Sequence, residues 1–187
     1  MITLSEHSIV ISPVGTVDSE LLKQISMEIK RIFRYKTEVI SFFKDVNFAL
    51  DLKRKQHHST PILKKLEEAA PVQAIKVIGI TSVDLFIPIL TYVYGEAQIG
   101  GVACIISTHR LAEGLFLSAD ENTYYERAAK EAVHELGHTF KLRHCKDNAC
   151  IMHYCRSIKD VDRKSQEFCR YCKTLLEDEM KRISGRM

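Results

Sequence analysis

The sequence lacks the segments that carry a chain into or across a membrane. Residues 1–15 contain neither a basic leader nor a long apolar stretch, and no run approaches the roughly 18 apolar residues of a spanning helix. Neither a cleaved signal peptide nor a transmembrane segment is therefore predicted. We expect a cytoplasmic protein with no membrane partner.

A strong excess of charge of either sign is also lacking. The chain has 27 Lys and Arg residues against 24 Asp and Glu, which gives a formal net charge of +3, and the charges are interspersed. So mild a balance does not favour a nucleic-acid or membrane-surface partner. With 187 residues, of which 45% are hydrophobic, the chain is predicted to fold as a single domain, 1–187.

The cysteines are distributed unevenly. Five of the six lie between Cys145 and Cys172. In a chain expected in the cytoplasm, clustered cysteines more often bind metal or stay reduced than form disulfides. The sixth, Cys104, lies in a predicted strand and is interpreted as a core residue.

Strand and helix patterns alternate along the first 110 residues. Strands are predicted at 8–14, 37–43 and 74–82, helices at 18–33 and 60–69, and a short extended piece at 48–53. Segment 93–108 has two extended halves around Gly100 and Gly101, which predicts a hairpin or a bulged strand. This alternation indicates an α/β (α+β) fold with a mixed sheet.

The second half of the chain is predicted to be mainly helical. Residues 124–140 are rich in good helix formers, and Thr123 with Glu126 has the spacing of a capping box. Residues 145–164 show no period and are predicted to be a loop. An amphipathic helix is predicted over 165–183.

Three histidines and a glutamate are concentrated in HELGHTFKLRHC, residues 134–145. His134 and His138 are four residues apart, so on a helix both rings lie on one face and can hold one zinc. Glu135 is badly placed as a ligand but well placed to take a proton from a zinc-bound water. His144 is the natural third ligand of a catalytic zinc that keeps its fourth position open.

The chain must turn sharply between His138 and His144, because an unbroken helix would point the latter away from the metal. The best-known form of the motif has glycine at the position of Lys141, since glycine adopts positive φ easily. Lysine reaches this conformation at a cost on the order of 1 kcal/mol, which metal binding can offset. The alternative, exposed histidines on a solvated helix end, leaves the surrounding apolar residues unexplained.

Two close cysteine pairs follow the histidines. Cys145 and Cys150, then Cys169 and Cys172, have the layout of a structural tetrahedral zinc site. Such a site would hold loop 145–164 against the start of the last helix and stabilise a part of the chain that buries little apolar surface. Free buried thiols are the alternative interpretation, and Cys155 is an alternative to Cys150 as a ligand.

The segment from His134 to Cys172 resembles the archaemetzincins, a branch of the metzincin zinc proteases. The matching residues of HExxHxxGxxH, CxxxxCxM and CxxC are His134, Glu135, His138, His144, Cys145, Cys150, Met152, Cys169 and Cys172. The resemblance implies a metzincin-like zincin with a twisted mixed sheet, packed helices and an active-site helix. It also implies an N-terminal subdomain, 1–140, and a small C-terminal subdomain, 141–187.

Several functional expectations come from this resemblance alone. It implies two zinc ions, one catalytic and one structural, and it implies that Met152 is the Met-turn residue beneath the histidines. The alternative interpretation, that Met152 is an ordinary core residue, predicts nearly the same packing. A peptide or protein substrate would pair with an edge strand, for which 95–106 is the candidate, and hydrolysis would be aminopeptidase-like.

Two other functions remain compatible with the sequence. The first is a binding protein that keeps the metzincin fold but hydrolyses peptides inefficiently. It is favoured if the Lys141 ammonium occupies or gates the cleft. A zinc-ribbon-like nucleic-acid binder has weak support from basic residues near the cysteines, and acidic neighbours dilute it. His57, His58 and His109 are interpreted as surface or satisfied residues, and His153 as a neighbour of the site. A monomer is favoured, with the oligomeric state left open.

Overall fold

The computed structural model describes residues 7–185, without the side chains of residues 117–119. In chain order the elements are β1 (Ser8–Val14), α1 (Ser19–Phe33), β2 (Lys36–Val39), a 3-10 turn (Asn47–Ala49), β3 (Leu50–Asp51), β4 (Gln56–His58), α2 (Ser59–Glu68), β5 (Ala74–Thr81), β6 (Leu85–Phe86), β7 (Gly95–Ala97), β8 (Ala103–Ser107), α3 (Leu117–Thr139), α4 (Ile158–Arg163) and α5 (Arg170–Ser184). The predicted alternation of strands and helices is confirmed.

The main sheet has five strands in the order β2-β1-β5-β8-β7. Neighbouring strands are parallel except for the last pair, because β7 and β8 form an antiparallel hairpin. Gly100 has φ +71 in the turn of that hairpin, which is the left-handed geometry that favours glycine. The mixed sheet is confirmed, and β7 forms one edge of it.

Hydrophobic side chains of the central strands alternate between the two faces of the sheet. Ile9 and Ile78 pack on one face with α1 and α3, and Val10 and Val77 pack on the other with α2. All four side chains are buried. Helix α3, which carries the histidine motif, therefore lies against the sheet on the larger of the two cores.

Several predicted boundaries are wrong. The strand predicted at 37–43 ends at Val39, after which the Phe42 N–H donates to the Ser12 hydroxyl instead of continuing the ladder. Segment 48–53 contains the end of a 3-10 turn, the two-residue strand β3 and the start of a turn. The helix predicted over 124–140, with Thr123 as its N-cap, already begins at Leu117 and continues across a kink at Asp120. The capping-box pattern therefore lies inside the helix.

Two helix predictions in the C-terminal part are wrong: one helix was not predicted, and the last helix is shorter than predicted. Residues 145–164 contain α4, which begins with a capping box between Ser157 and Asp160. The final helix starts at Arg170 instead of residue 165, because the Cys169 thiol accepts from the Cys172 N–H and forms the N-cap. None of the helices within residues 7–185 combines the length and the apolar character needed to cross a bilayer.

Candidate metal centre

The HELGH segment forms the last two turns of α3. His134, Glu135 and His138 are all buried. The helix then ends in a Schellman-type turn, in which the Leu142 N–H donates to the Gly137 carbonyl at 3.0 Å and Lys141 has φ +67. The left-handed conformation predicted at the glycine position is confirmed, and it turns the chain back toward His144.

The three histidines converge on one point. Their metal-binding nitrogens lie within 4.8 Å of one another. His134 Nδ1 lies 2.8 Å from the Ile151 carbonyl, and His138 Nδ1 lies 2.8 Å from the Leu142 carbonyl. Because a carbonyl oxygen only accepts, each Nδ1 carries the proton and each Nε2 presents a bare lone pair.

The two bare nitrogens face each other at the separation expected of two ligands on one metal ion. The Nε2 atoms of His134 and His138 are 3.2 Å apart. Two ligands about 2.0–2.1 Å from a tetrahedral zinc would be about 3.3 Å apart. The donor set therefore fits a zinc ion held by the two Nε2 atoms, with His144 as a third donor.

The electrostatic environment keeps these imidazoles neutral, which is the state that binds metal. Burial lowers the pKa of His134 well below its usual value, and it also lowers the pKa of His138. Burial and the neighbouring His138 lower the pKa of His144 to about 4. All three shifts favour the neutral imidazole, which is the form that can bind a cation.

The side chain of Glu135, which belongs to α3, packs against Gly95 of the edge strand β7. A Cβ at Gly95 would lie 2.6 Å from Glu135 Cγ, so glycine is required for this close approach. Burial and the nearby Glu131 raise the pKa of Glu135 well above its usual value. A cation bound at the histidines would act in the opposite direction.

A cleft of about 770 Å³ opens over these residues. It is lined by the three histidines, Glu135, strand β7 and residues 154–156. The segment predicted to meet an extended substrate is 95–106. Its first part, β7, lines the cleft and forms the edge of the sheet. Sequence reasoning missed two lining residues, Glu131 and Lys164, which come from different elements.

Met152 packs beneath the histidine helix. Its side chain is fully buried, and its sulfur lies 2.5 Å from where a Cβ on Gly137 would be. Its carbonyl accepts from the Cys145 N–H at 2.9 Å. Met152 therefore contacts Gly137, which precedes His138, and its backbone bonds to Cys145, which follows His144.

Four of the five clustered cysteines meet. The sulfurs of Cys145, Cys150, Cys169 and Cys172 lie within 4.8 Å of one another, and all are free thiols. The sulfurs of Cys145 and Cys169 are 3.8 Å apart, close to the spacing of about 3.8 Å for two thiolates on one tetrahedral zinc. Cys155 instead lines the cleft beside Lys164, and Cys104 is buried in β8.

The other candidate residues of the sequence are not members of either cluster. The Lys141 ammonium is 2.8 Å from Glu179 in α5, and Lys141 is not among the residues that line the cleft. His153 Nδ1 lies 3.0 Å from the carbonyl of Cys145, between the two clusters. His57 and His58 form part of β4 and lie outside both clusters.

Comparisons with known proteins agree with this geometry. A model of Peptidase family M54 matches residues 19–178. The chain is 35% identical over 171 residues to the archaemetzincin of Methanocaldococcus jannaschii, covering 91% of this chain and 93% of that relative. It is 36% identical over 165 residues to the archaemetzincin of Archaeoglobus fulgidus, covering 88% and 95%.

Solved structures give the same result. The crystal structure of the archaemetzincin from Methanopyrus kandleri matches with a TM-score of 0.84 at 30% identity, covering 97% of this chain and 99% of that one. A zinc-dependent peptidase from Methanocorpusculum labreanum matches with a TM-score of 0.80 at 26% identity, covering 90% and 99%. Both ligand clusters lie inside the region that the family model covers.

Proposed function

The chain belongs to peptidase family M54 and is a zinc metalloprotease, and on this premise we propose that His134, His138 and His144 hold the catalytic zinc and that Glu135 is the general base. The observation that carries the proposal is the pair of bare Nε2 atoms 3.2 Å apart, next to a buried carboxylate at the cleft. The predicted archaemetzincin resemblance and the mixed α/β fold are confirmed.

The residues of the chain have distinct roles in this proposal. When bound, zinc supplies Lewis acidity that polarises the peptide carbonyl and acidifies water. The backbone carbonyls of Ile151 and Leu142 orient two of the imidazoles. Glu135, held in place by Gly95, removes the proton from the attacking water and returns it to the departing amine.

The substrate is proposed to bind as an extended peptide along β7. This strand pairs with β8 on one side, and among residues 7–185 no strand pairs with its other side. Its free backbone groups can therefore add a peptide strand. We further propose aminopeptidase-like action on small peptides, which a comparison of free and N-acetylated peptides tests: equal cleavage of both would contradict it.

The second metal is proposed to be structural. Cys145, Cys150, Cys169 and Cys172 would hold a zinc that ties the segment after His144 to the start of α5. With the proposed Met-turn at Met152, this zinc would organise residues 141–187 as a small C-terminal subdomain, beside an N-terminal subdomain of residues 1–140.

The proposal is tested with the Glu135→Gln variant. Glutamine keeps the shape of the side chain but does not accept the proton, so the variant should retain two zinc ions per chain and lose peptide hydrolysis. Normal cleavage by this variant would show that Glu135 is not the base. No chelator-sensitive cleavage by the zinc-loaded wild type, over a broad peptide library, would favour the alternative of a binding protein.

A further inference from the structure

A buried ion pair in the cleft wall has no role in the proposed chemistry. Lys164 follows α4, and its ammonium lies 2.7 Å from Glu131 Oε1, with the two side chains 0% and 4% exposed. Neither of these two atoms has a directional hydrogen bond within the described part of the chain. Both residues line the cleft, and the Cys155 thiol lies beside the ammonium.

Glu131 lies on the same helix as His134 and lines the same cleft. With His134 it forms a Glu-x-x-His pair, a spacing at which a helical carboxylate and imidazole project toward one metal ion. Yet the Glu131 carboxylate is not a member of the cluster formed by the three histidines. The Glu131 carboxylate is instead paired with the ammonium of Lys164.

We propose that Lys164 is a positioning residue that holds the Glu131 carboxylate out of the zinc coordination sphere. This inference rests on the proposed catalytic zinc at the histidines. A catalytic zinc has three protein ligands and an open position, and a fourth protein ligand would close that position. With Lys164 in place, the open position stays available to water and substrate, and Glu135 is the carboxylate that faces them.

A purely structural role for the pair is less consistent with its position. Burying a lysine and a glutamate together adds little to stability relative to apolar side chains of the same volume. Here the pair lies in the wall of the cleft, and Glu131 is one helical turn from Glu135. A role in keeping the metal open explains why charged groups are found there.

The test uses protein with zinc in the cysteine cluster and cobalt(II) in the histidine cluster. In Lys164→Met the freed Glu131 should bind the cobalt, which changes its visible absorption spectrum and slows its release. The kcat of the zinc form should fall by roughly 10- to 100-fold, as is typical when an outer-shell partner is lost. The double variant Lys164→Met/Glu131→Gln should have the wild-type spectrum and release rate.

Three controls separate the possible results. In Glu131→Gln alone the spectrum should match wild type, and a changed spectrum would show that Glu131 already binds the metal, which overturns the proposal. A wild-type spectrum in Lys164→Met, or a change that the double variant does not reverse, also overturns it. His138→Ala should abolish the cobalt spectrum, and if it does not, the proposed catalytic site itself is wrong.

Discussion

The Lys141 ammonium lies 2.8 Å from Glu179 in α5, and this contact ties the turn before the third histidine to the last helix. At the other end of the same segment, the Cys145 sulfur lies 3.8 Å from that of Cys169, the N-cap of α5. The segment that carries His144 is thus attached to one helix on both sides. This double attachment explains how a lysine is accommodated at φ +67.

Substitutions at Lys141 distinguish the energetic cost of its left-handed backbone from the contribution of its ion pair with Glu179. In Lys141→Gly the relief of left-handed strain, on the order of 1 kcal/mol, offsets the loss of a partly exposed ion pair. The free energy of unfolding and kcat/KM should both stay close to wild type. Lys141→Ala keeps the strain and loses the pair, so it should be the less stable of the two by about 1 kcal/mol.

The measurements are urea unfolding and peptide hydrolysis on the zinc-loaded protein. Glu179→Gln is the matched control, because it removes the ion pair and leaves the backbone at Lys141 unchanged. A rise of tenfold or more in kcat/KM for Lys141→Gly would show that the lysine gates the cleft.

Gly95 should be needed for activity more than for folding. A Cβ at this position would meet Glu135 Cγ at 2.6 Å and the Ile105 carbonyl at 2.7 Å. Gly95→Ala should therefore push Glu135 aside and lower kcat, since a shift near 1 Å can cost about 10²-fold. Zinc content should remain at two per chain. Full activity in the variant would show that the close approach does not position the carboxylate.

The clustering of the three histidines was predictable from sequence because their spacing is local. His134 and His138 share a helical face at any site that has this motif, and the Schellman turn at Lys141 follows from the need to bring His144 back. Lys164 and Gly95 gave no such signal, because each reaches the centre through the tertiary fold. The start of α3 was missed since the capping-box pattern at Thr123 is overridden by a helix that continues across a kink.

The cysteine cluster should stabilise the fold. Cys172→Ser removes one of four proposed ligands, so the variant should bind one zinc per chain and unfold at a lower urea concentration. Cys155→Ser is the matched control, since Cys155 lies outside the cluster and should leave the zinc content at two. Loss of the structural zinc from Cys155→Ser instead would show that Cys155 is a ligand.

Lys76 should make stability depend on pH. Its ammonium donates to the carbonyls of Gly101 and Thr139, and burial lowers its pKa from 10.5 to about 8. Between these two values the unfolded chain binds a proton that the folded chain does not, so the free energy of unfolding contributed by this group rises with pH.

This contribution is measured by comparison with Lys76→Met. Between pH 8 and 10.5, the unfolding free energy of wild type relative to the variant should increase, by about 1.4 kcal/mol for each unit of pKa difference. Subtracting the unfolding free energy of the variant from that of wild type removes the contributions of other groups that titrate in this range. A constant difference over the whole range would show that the pKa of Lys76 is the same in the folded and the unfolded chain.

An anomalous difference map at the zinc edge, from a crystal of the zinc-loaded protein, would locate both proposed metal ions. We expect two peaks. One lies between the Nε2 atoms of His134 and His138 within reach of His144, and the other lies among the sulfurs of the cysteine cluster. A map with no peak at the histidines would contradict the proposed catalytic zinc site.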